Sequence, residues 1–180
     1  MKPEPGMRVL DVGGQPYVWD SVPTPLDITC LNLPGIAVTE HDTHHKIRYV
    51  DGNGCQMPEH VRGDFDLVFS NSVIEHVGDG SNRAQFASEI QRISPRFWVQ
   101  TPNKHYPFEA HTGMPFWWYY PQSVRDYFIR GWSRKLPAWT EMVSGTTYVP
   151  RNELTSLFPG ATIEDEWLGL PKSYIVYSRG

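Results

Sequence analysis

Arg8-Val9-Leu10-Asp11-Val12-Gly13-Gly14-Gln15 opens the pattern that decides the fold. Five residues of a buried strand run into a glycine pair. Glycine lets the backbone turn sharply and approach a ligand closely. On its own the stretch also fits a plain tight turn. Its meaning depends on what the following strands bring to the same end of a sheet.

Working outward, Asp27-Ile28-Thr29-Cys30-Leu31-Asn32 reads as a second strand, and Lys46-Ile47-Arg48-Tyr49-Val50 as a third. Phe65 to Ser70 is the fourth and Arg96 to Gln100 the fifth. Tyr17 to Val22 has room for a short helix, ended by Pro23 and Pro25. Between Asn82 and Ile93, apolar residues at Ala84, Phe86, Ala87, Ile90 and Ile93 recur at helical spacing. Strands alternating with helix-length connections predict a parallel sheet with crossovers. The end of the chain breaks this rhythm. Asn152 to Phe158 reads as a helix. Ala161 to Trp167 and Tyr174 to Ser178 are strands joined by too short a connection for a crossover, so they form an antiparallel hairpin.

In open α/β sheets, ligands lie beyond the carboxyl ends of the strands. Four sets of residues fall there. Asp11, Gly13, Gly14 and Gln15 follow strand one. Asn32 and Leu33 end strand two, where a polar side chain can hydrogen-bond ribose hydroxyls, although Asn32 also fits a turn before Pro34. Asp51, Gly52 and Asn53 follow strand three, where a carboxylate could accept an adenine amine. Ser70, Asn71 and Ser72 follow strand four, near where a reacting centre would sit.

The order Val-Leu-Asp-x-Gly, strand-end Asn, Asp-Gly, then Phe65-Asp66-Leu67-Val68-Phe69-Ser70-Asn71-Ser72-Val73-Ile74-Glu75-His76-Val77 resembles class I S-adenosylmethionine-dependent methyltransferases. It looks closest to the methyltransferase type 11 group. The resemblance covers residues 8 to 102, and the final hairpin agrees with that fold. It implies an α/β, Rossmann-like sheet, mostly parallel, with a C-terminal antiparallel hairpin. It implies S-adenosylmethionine as cofactor and methyl transfer as the activity. Asp11, Gly13 and Gly14 would face the methionine part, Asn32 the ribose, Asp51 and Gly52 the adenine, and Ser70 the sulfonium neighbourhood. Three positions depart from the pattern. Gln15 stands where another glycine is usual, Asn32 where Glu or Asp is usual, and Pro23 and Pro25 shorten the helix after strand one. These departures keep open a non-catalytic nucleotide-binding or partner-recognition domain of the same fold. A nicotinamide-dependent oxidoreductase would want Gly-x-Gly-x-x-Gly where this chain has Gly13-Gly14-Gln15-Pro16-Tyr17.

An oxygen or nitrogen acceptor can need a base. His76 is one candidate. Glu109 and His111 are a second, in Pro107-Phe108-Glu109-Ala110-His111, a stretch similar to one that members of the group carry. Each also fits a structural contact. The segment 103–149 holds most of the chain's excess aromatic residues. From Lys104 to Lys135 five Lys or Arg face only Glu109 and Asp126. Such a surface suits a small-molecule, glycosidic or lipid-linked acceptor bearing a phosphate or carboxylate, or peripheral contact with an anionic membrane. The same rings would also serve to pack two ordinary helices.

The whole chain carries a net charge of -4, which argues against a nucleic-acid backbone as partner. Cys30 and Cys55 have no metal or disulfide spacing, and no signal or spanning segment is visible, so a cytoplasmic setting is expected. His41-Asp42-Thr43-His44-His45 has ligand-type residues but no visible fourfold convergence, and no metal is expected. The 180 residues suggest one domain, 1–180, with an aromatic-rich insertion at about 103–149. About seven residues precede strand one. The site should therefore be open, or closed by segment 103–149 or by another copy of the chain.

Overall fold

The computed structural model describes residues 2–36, 42–61 and 65–179. Five strands run parallel: β1 (Arg8–Val12), β2 (Asp27–Asn32), β3 (Lys46–Asp51), β4 (Leu67–Asn71) and β5 (Arg96–Pro102). A hairpin of β6 (Thr162–Leu168) and β7 (Leu170–Arg179) closes the sheet, with β7 antiparallel to both β5 and β6. The order is β3-β2-β1-β4-β5-β7-β6. It reverses between β1 and β4, the place where open α/β sheets leave a crevice.

β1, β2 and β4 are buried almost throughout, because protein covers the sheet on both faces there. One face carries the larger core. Helix α1 (Gly80–Ile93) lays Phe86, Ala87 and Ile90 on it, and Leu154 and Phe158, from helix α4 (Arg151–Leu157) and its end, complete it. Asp79 starts α1 sharply by accepting from the amides of Ser81 and Asn82, at 3.0 and 3.1 Å. The opposite face has a smaller core of Val9, Trp19, Leu26, Ile28, Cys30 and Leu67.

The stretch expected to be helical from Tyr17 is a single 3-10 turn, Pro16–Trp19. Proline at its start and Pro23 beyond it leave no room for more. β5 runs two residues past Gln100 because Thr101 and Pro102 pair with Tyr174 and Ser173. The hairpin turn is tighter than its sequence suggested. Gly169 alone, at φ +73°, reverses the chain, and β7 begins at Leu170.

Segment 103–149 contains helices α2 (Gln122–Ser133) and α3 (Pro137–Gly145). Rings link them: Trp117 lies 5.4 Å from Trp132, and Trp132 lies 5.2 Å from Trp139. Much of the aromatic excess thus packs helices. Tyr119 and Tyr127 remain exposed. Among the described residues no helix is long and apolar enough to cross a membrane.

Candidate active site

A cavity of about 860 Å³ opens where the strand order reverses. Its walls come from the turn after β1 (Gly13), the end of β2 (Asn32, Leu33), the loop after β3 (Gly52 to Gln56), the segment after β4 (Ser72, Val73, His76) and α1 (Gln85, Phe86). Ala138, Glu141, Met142 and Gly145 of α3 form the remaining wall, so segment 103–149 flanks the opening. The volume lies in the range of small-molecule and cofactor sites.

Backbone bonds tie the strand ends together. Gly13 donates to Leu31 O at 2.8 Å, and Gly52 donates to Asn32 O at 2.7 Å. The Asn32 side chain donates to Gly14 O at 3.1 Å. The glycines are needed for space as well as for conformation. Gly13 has φ +78°, and a Cβ there would lie 2.5 Å from Val73. A Cβ at Gly54 would lie 2.9 Å from Phe86 and 3.0 Å from Val12. Ser72 adopts φ +58° without being glycine, a strained conformation of the kind that gathers at ligand sites.

Asp11 is fully buried beneath this turn and does not itself line the cavity. A Cβ on Gly14 would fall 1.9 Å from its Oδ2. Trp19 Nε1 donates to that oxygen at 2.7 Å, while Oδ1 has no hydrogen-bond partner. Burial pushes the Asp11 pKa up to about 7, against the lowering effect of the Trp19 bond. A buried carboxylate with one unpaired oxygen is costly unless a cationic or donating group meets it. Both the glycine cradle and this orphaned oxygen fit a ligand carrying positive charge.

The remaining predicted residues divide. Gly13, Asn32, Leu33, Gly52, Asn53 and Ser72 line the cavity. Gly14 and Gln15 lie in the turn itself. Asp51 does not line the cavity. Gly52 turns the chain there, so the residues after it, not the strand-end carboxylate, face inward. Ser70 is buried and donates to Val12 O at 3.1 Å, which holds β4 against β1. Asn71 lines a separate, smaller cavity that Ser72 and Glu109 also border. His44 and His45 bond to the carbonyls of Val22 and Trp19, each at 2.9 Å, and serve the fold. His41 lies outside the described residues.

A polar cluster sits at one side of the main cavity and joins the candidates for acceptor chemistry. His76 lines the cavity, and its Nε2 lies 2.9 Å from His111 Nε2. His111 Nδ1 lies 2.8 Å from Glu109 Oε1. The other Glu109 oxygen accepts from the amides of His111 and Thr112, at 2.9 and 2.6 Å. Thr146 Oγ1, at the end of α3, is 3.1 Å from His76 Nδ1. Sequence reading missed two members. Glu75 is almost completely buried and accepts from Thr101 Oγ1 at 3.0 Å. Thr146 comes from 70 residues away. The one available signal for Glu75 was its place beside His76 in Ile74-Glu75-His76.

Burial pushes Glu75 up to about 7. Burial and then the nearby His111 take His76 down to about 4. The Glu109 hydrogen bond raises His111. Burial opposes ionisation of Glu109, yet the bonds from His111 and Thr112 together hold it below the usual carboxylate range.

Comparison with known proteins agrees with this geometry. The family model described as "Methyltransferase domain" matches residues 22–95. No curated protein matches. The fold is similar to Haemonchus contortus phosphoethanolamine N-methyltransferase 2, solved with phosphomonomethylethanolamine and S-adenosylhomocysteine. There the TM-score is 0.58 at 16% identity over 91% of this chain, which spans only 35% of that one. Magnesium protoporphyrin IX methyltransferase from Synechocystis PCC 6803, solved with S-adenosylhomocysteine, gives a TM-score of 0.54 at 10% identity, covering 96% of this chain and 74% of that one. A Rhodobacter sphaeroides protein named for zinc-dependent alcohol dehydrogenases gives a TM-score of 0.64 at 12% identity, covering 98% of this chain and 85% of that one. Identities this low speak for the fold alone. The strand order and the closing hairpin give the chain the fold of those methyltransferases, and the stretch 22–95 resembles their sequence family.

Proposed function

We propose that this domain binds S-adenosylmethionine and transfers its methyl group to an oxygen or nitrogen of a small-molecule, glycosidic or lipid-linked acceptor. The cavity at the order reversal, lined by Gly13 and Gly54, where a Cβ would not fit, and bordered by His76, carries the reading. The ligands of the methyltransferases with similar folds support it.

When bound, the sulfonium supplies an already activated methyl group. The chain's own residues bind, orient and exclude water. Asn32 meets the ribose, and Asn53 and Gly54 border the adenine. Gly13 admits the methionine part, and Asp11 beneath it supplies the compensating negative charge. Ser72 and Val73 form the floor. The His76–His111 pair, oriented by Glu109 and Thr146, meets the acceptor's reacting atom. Holding that atom in line can contribute roughly 7–11 kcal/mol. Lys104 lies 4.1 Å from the centre of the Tyr148 ring and lines, with it, a cavity separate from the main one. We read residues 1–180 as one domain and 103–149 as its acceptor-facing insertion.

Calorimetric titration with S-adenosylmethionine and S-adenosylhomocysteine tests this reading. Saturable binding is expected, weakened by Asn53→Ala and unchanged by Asp51→Ala. Absence of heat and of thermal stabilisation at millimolar ligand refutes it and leaves a domain of this fold that does not use the cofactor.

A further inference from the structure

We propose that Glu75, His76 and His111 form a binding site for a divalent first-row transition metal such as zinc, cobalt or manganese. One ligand atom from each lies within 4.8 Å of those of the other two. The proposal deepens the functional reading above, because the site borders the cavity through His76.

The hydrogen bonds around the two histidines carry the argument. A carboxylate only accepts, so the 2.8 Å contact with Glu109 requires His111 Nδ1 to donate. A neutral His111 then presents a lone pair at Nε2. Thr146 Oγ1 donates to Met142 O at 2.9 Å. Its 3.1 Å contact with His76 Nδ1 is therefore made with that nitrogen donating. Neutral His76 also presents a lone pair at Nε2. The two Nε2 atoms are 2.9 Å apart. Two lone pairs do not face each other at that distance without a cation between or beside them.

A third donor points the same way. Glu75 Oε1 is buried without a hydrogen-bond partner and lies 4.0 Å from His111 Nε2. Its other oxygen is held by Thr101, so the carboxylate has only to swing toward the pair. Metal–imidazole bonds are about 2.0–2.1 Å long, and two such nitrogens at right angles around one ion lie about 3 Å apart. Two imidazoles and one carboxylate favour a transition ion over magnesium or calcium, which prefer all-oxygen shells. The Glu109–His111 bond is the outer carboxylate that metal-bound histidines characteristically have. Three protein ligands leave positions open for water or for oxygens of the acceptor, which the ion would polarise beside the methyl donor.

Chelator-treated full-length protein, titrated calorimetrically with Zn²⁺, Co²⁺ and Mn²⁺ in separate runs, tests the site. One equivalent should bind, with Co²⁺ developing visible d–d absorption. His111→Ala should abolish this binding. Glu75→Gln, close to isosteric, should weaken it strongly, and Glu109→Gln should weaken it about 10–100-fold. His60→Ala, an exposed histidine elsewhere, should leave it unchanged. Metal should raise the thermal midpoint of the wild type but not of folded His111→Ala. No saturable binding, or binding that survives both His111→Ala and Glu75→Gln, overturns the proposal and leaves the pair sharing a proton. S-adenosylmethionine titrated in the presence of chelator reports separately on the cofactor reading, so either can fail without the other.

Discussion

Asp11→Asn tests the cofactor turn through the titration of its buried carboxylate. Asp11 is sealed beneath Gly14, bonded only to Trp19 on one oxygen and to nothing on the other. Burial takes its pKa from 3.8 to about 7. Across that interval the folded protein holds a proton that the unfolded chain has released. The stability this contributes is complete below pH 3.8 and is lost as pH rises to about 7. At about 1.36 kcal/mol per pH unit, the full loss reaches about 4 kcal/mol. Asn keeps the shape and stays neutral, but it leaves amide hydrogens unpaired at a cost of about 1–3 kcal/mol. Urea unfolding of both proteins without ligand, at about pH 4 and about pH 8, measures the difference. The variant should be the less stable at the lower pH. The gap should then move in its favour by about 2–4 kcal/mol at the higher pH. Glu75, also raised to about 7, titrates in both proteins and cancels in the comparison. The variant should nonetheless bind S-adenosylmethionine more weakly, having lost its negative charge near the cation. A wild-type-to-variant gap that does not change with pH refutes the assignment of Asp11 as a proton-holding buried carboxylate.

Two further outcomes follow from the packing. Gly14→Ala places a methyl 1.9 Å from Asp11 Oδ2; it should destabilise by about 1–3 kcal/mol and abolish cofactor binding in calorimetry. Phe158 is fully buried and lies 5.2 Å from the Phe97 ring; Phe158→Ala should cost about 3–5 kcal/mol. Differential scanning calorimetry should show the Phe158→Ala midpoint lowered by roughly 6–20 °C, with the affinity of the folded protein for cofactor kept.

The five parallel strands, helix α1 and the closing hairpin were legible in the sequence. Each is a local pattern: an apolar run stopped by glycine or proline, or apolar residues at helical spacing. Strand-end residues were legible for the same reason, since the sheet rule says which end to examine. The helix expected from Tyr17 shrank to one turn because the prolines that bound it also limit it. The aromatic segment stayed ambiguous because rings that pack helices and rings that line a site have the same composition. Only the folded arrangement puts Trp117, Trp132 and Trp139 together and turns Met142 toward the cavity.

By itself the sequence determined the class of sheet, the end of it that matters and the glycines that keep that end open. Tertiary structure decided which strand-end side chains face inward. Gly52 bonds to Asn32 and turns the chain, so Asn53 rather than Asp51 lines the cavity. It also decided that His76, His111 and Thr146 meet. Spacing along a chain specifies periodic local geometry. Convergence of side chains 35 and 70 residues apart depends on where β4, β5 and α3 end in space, and no local pattern encodes that.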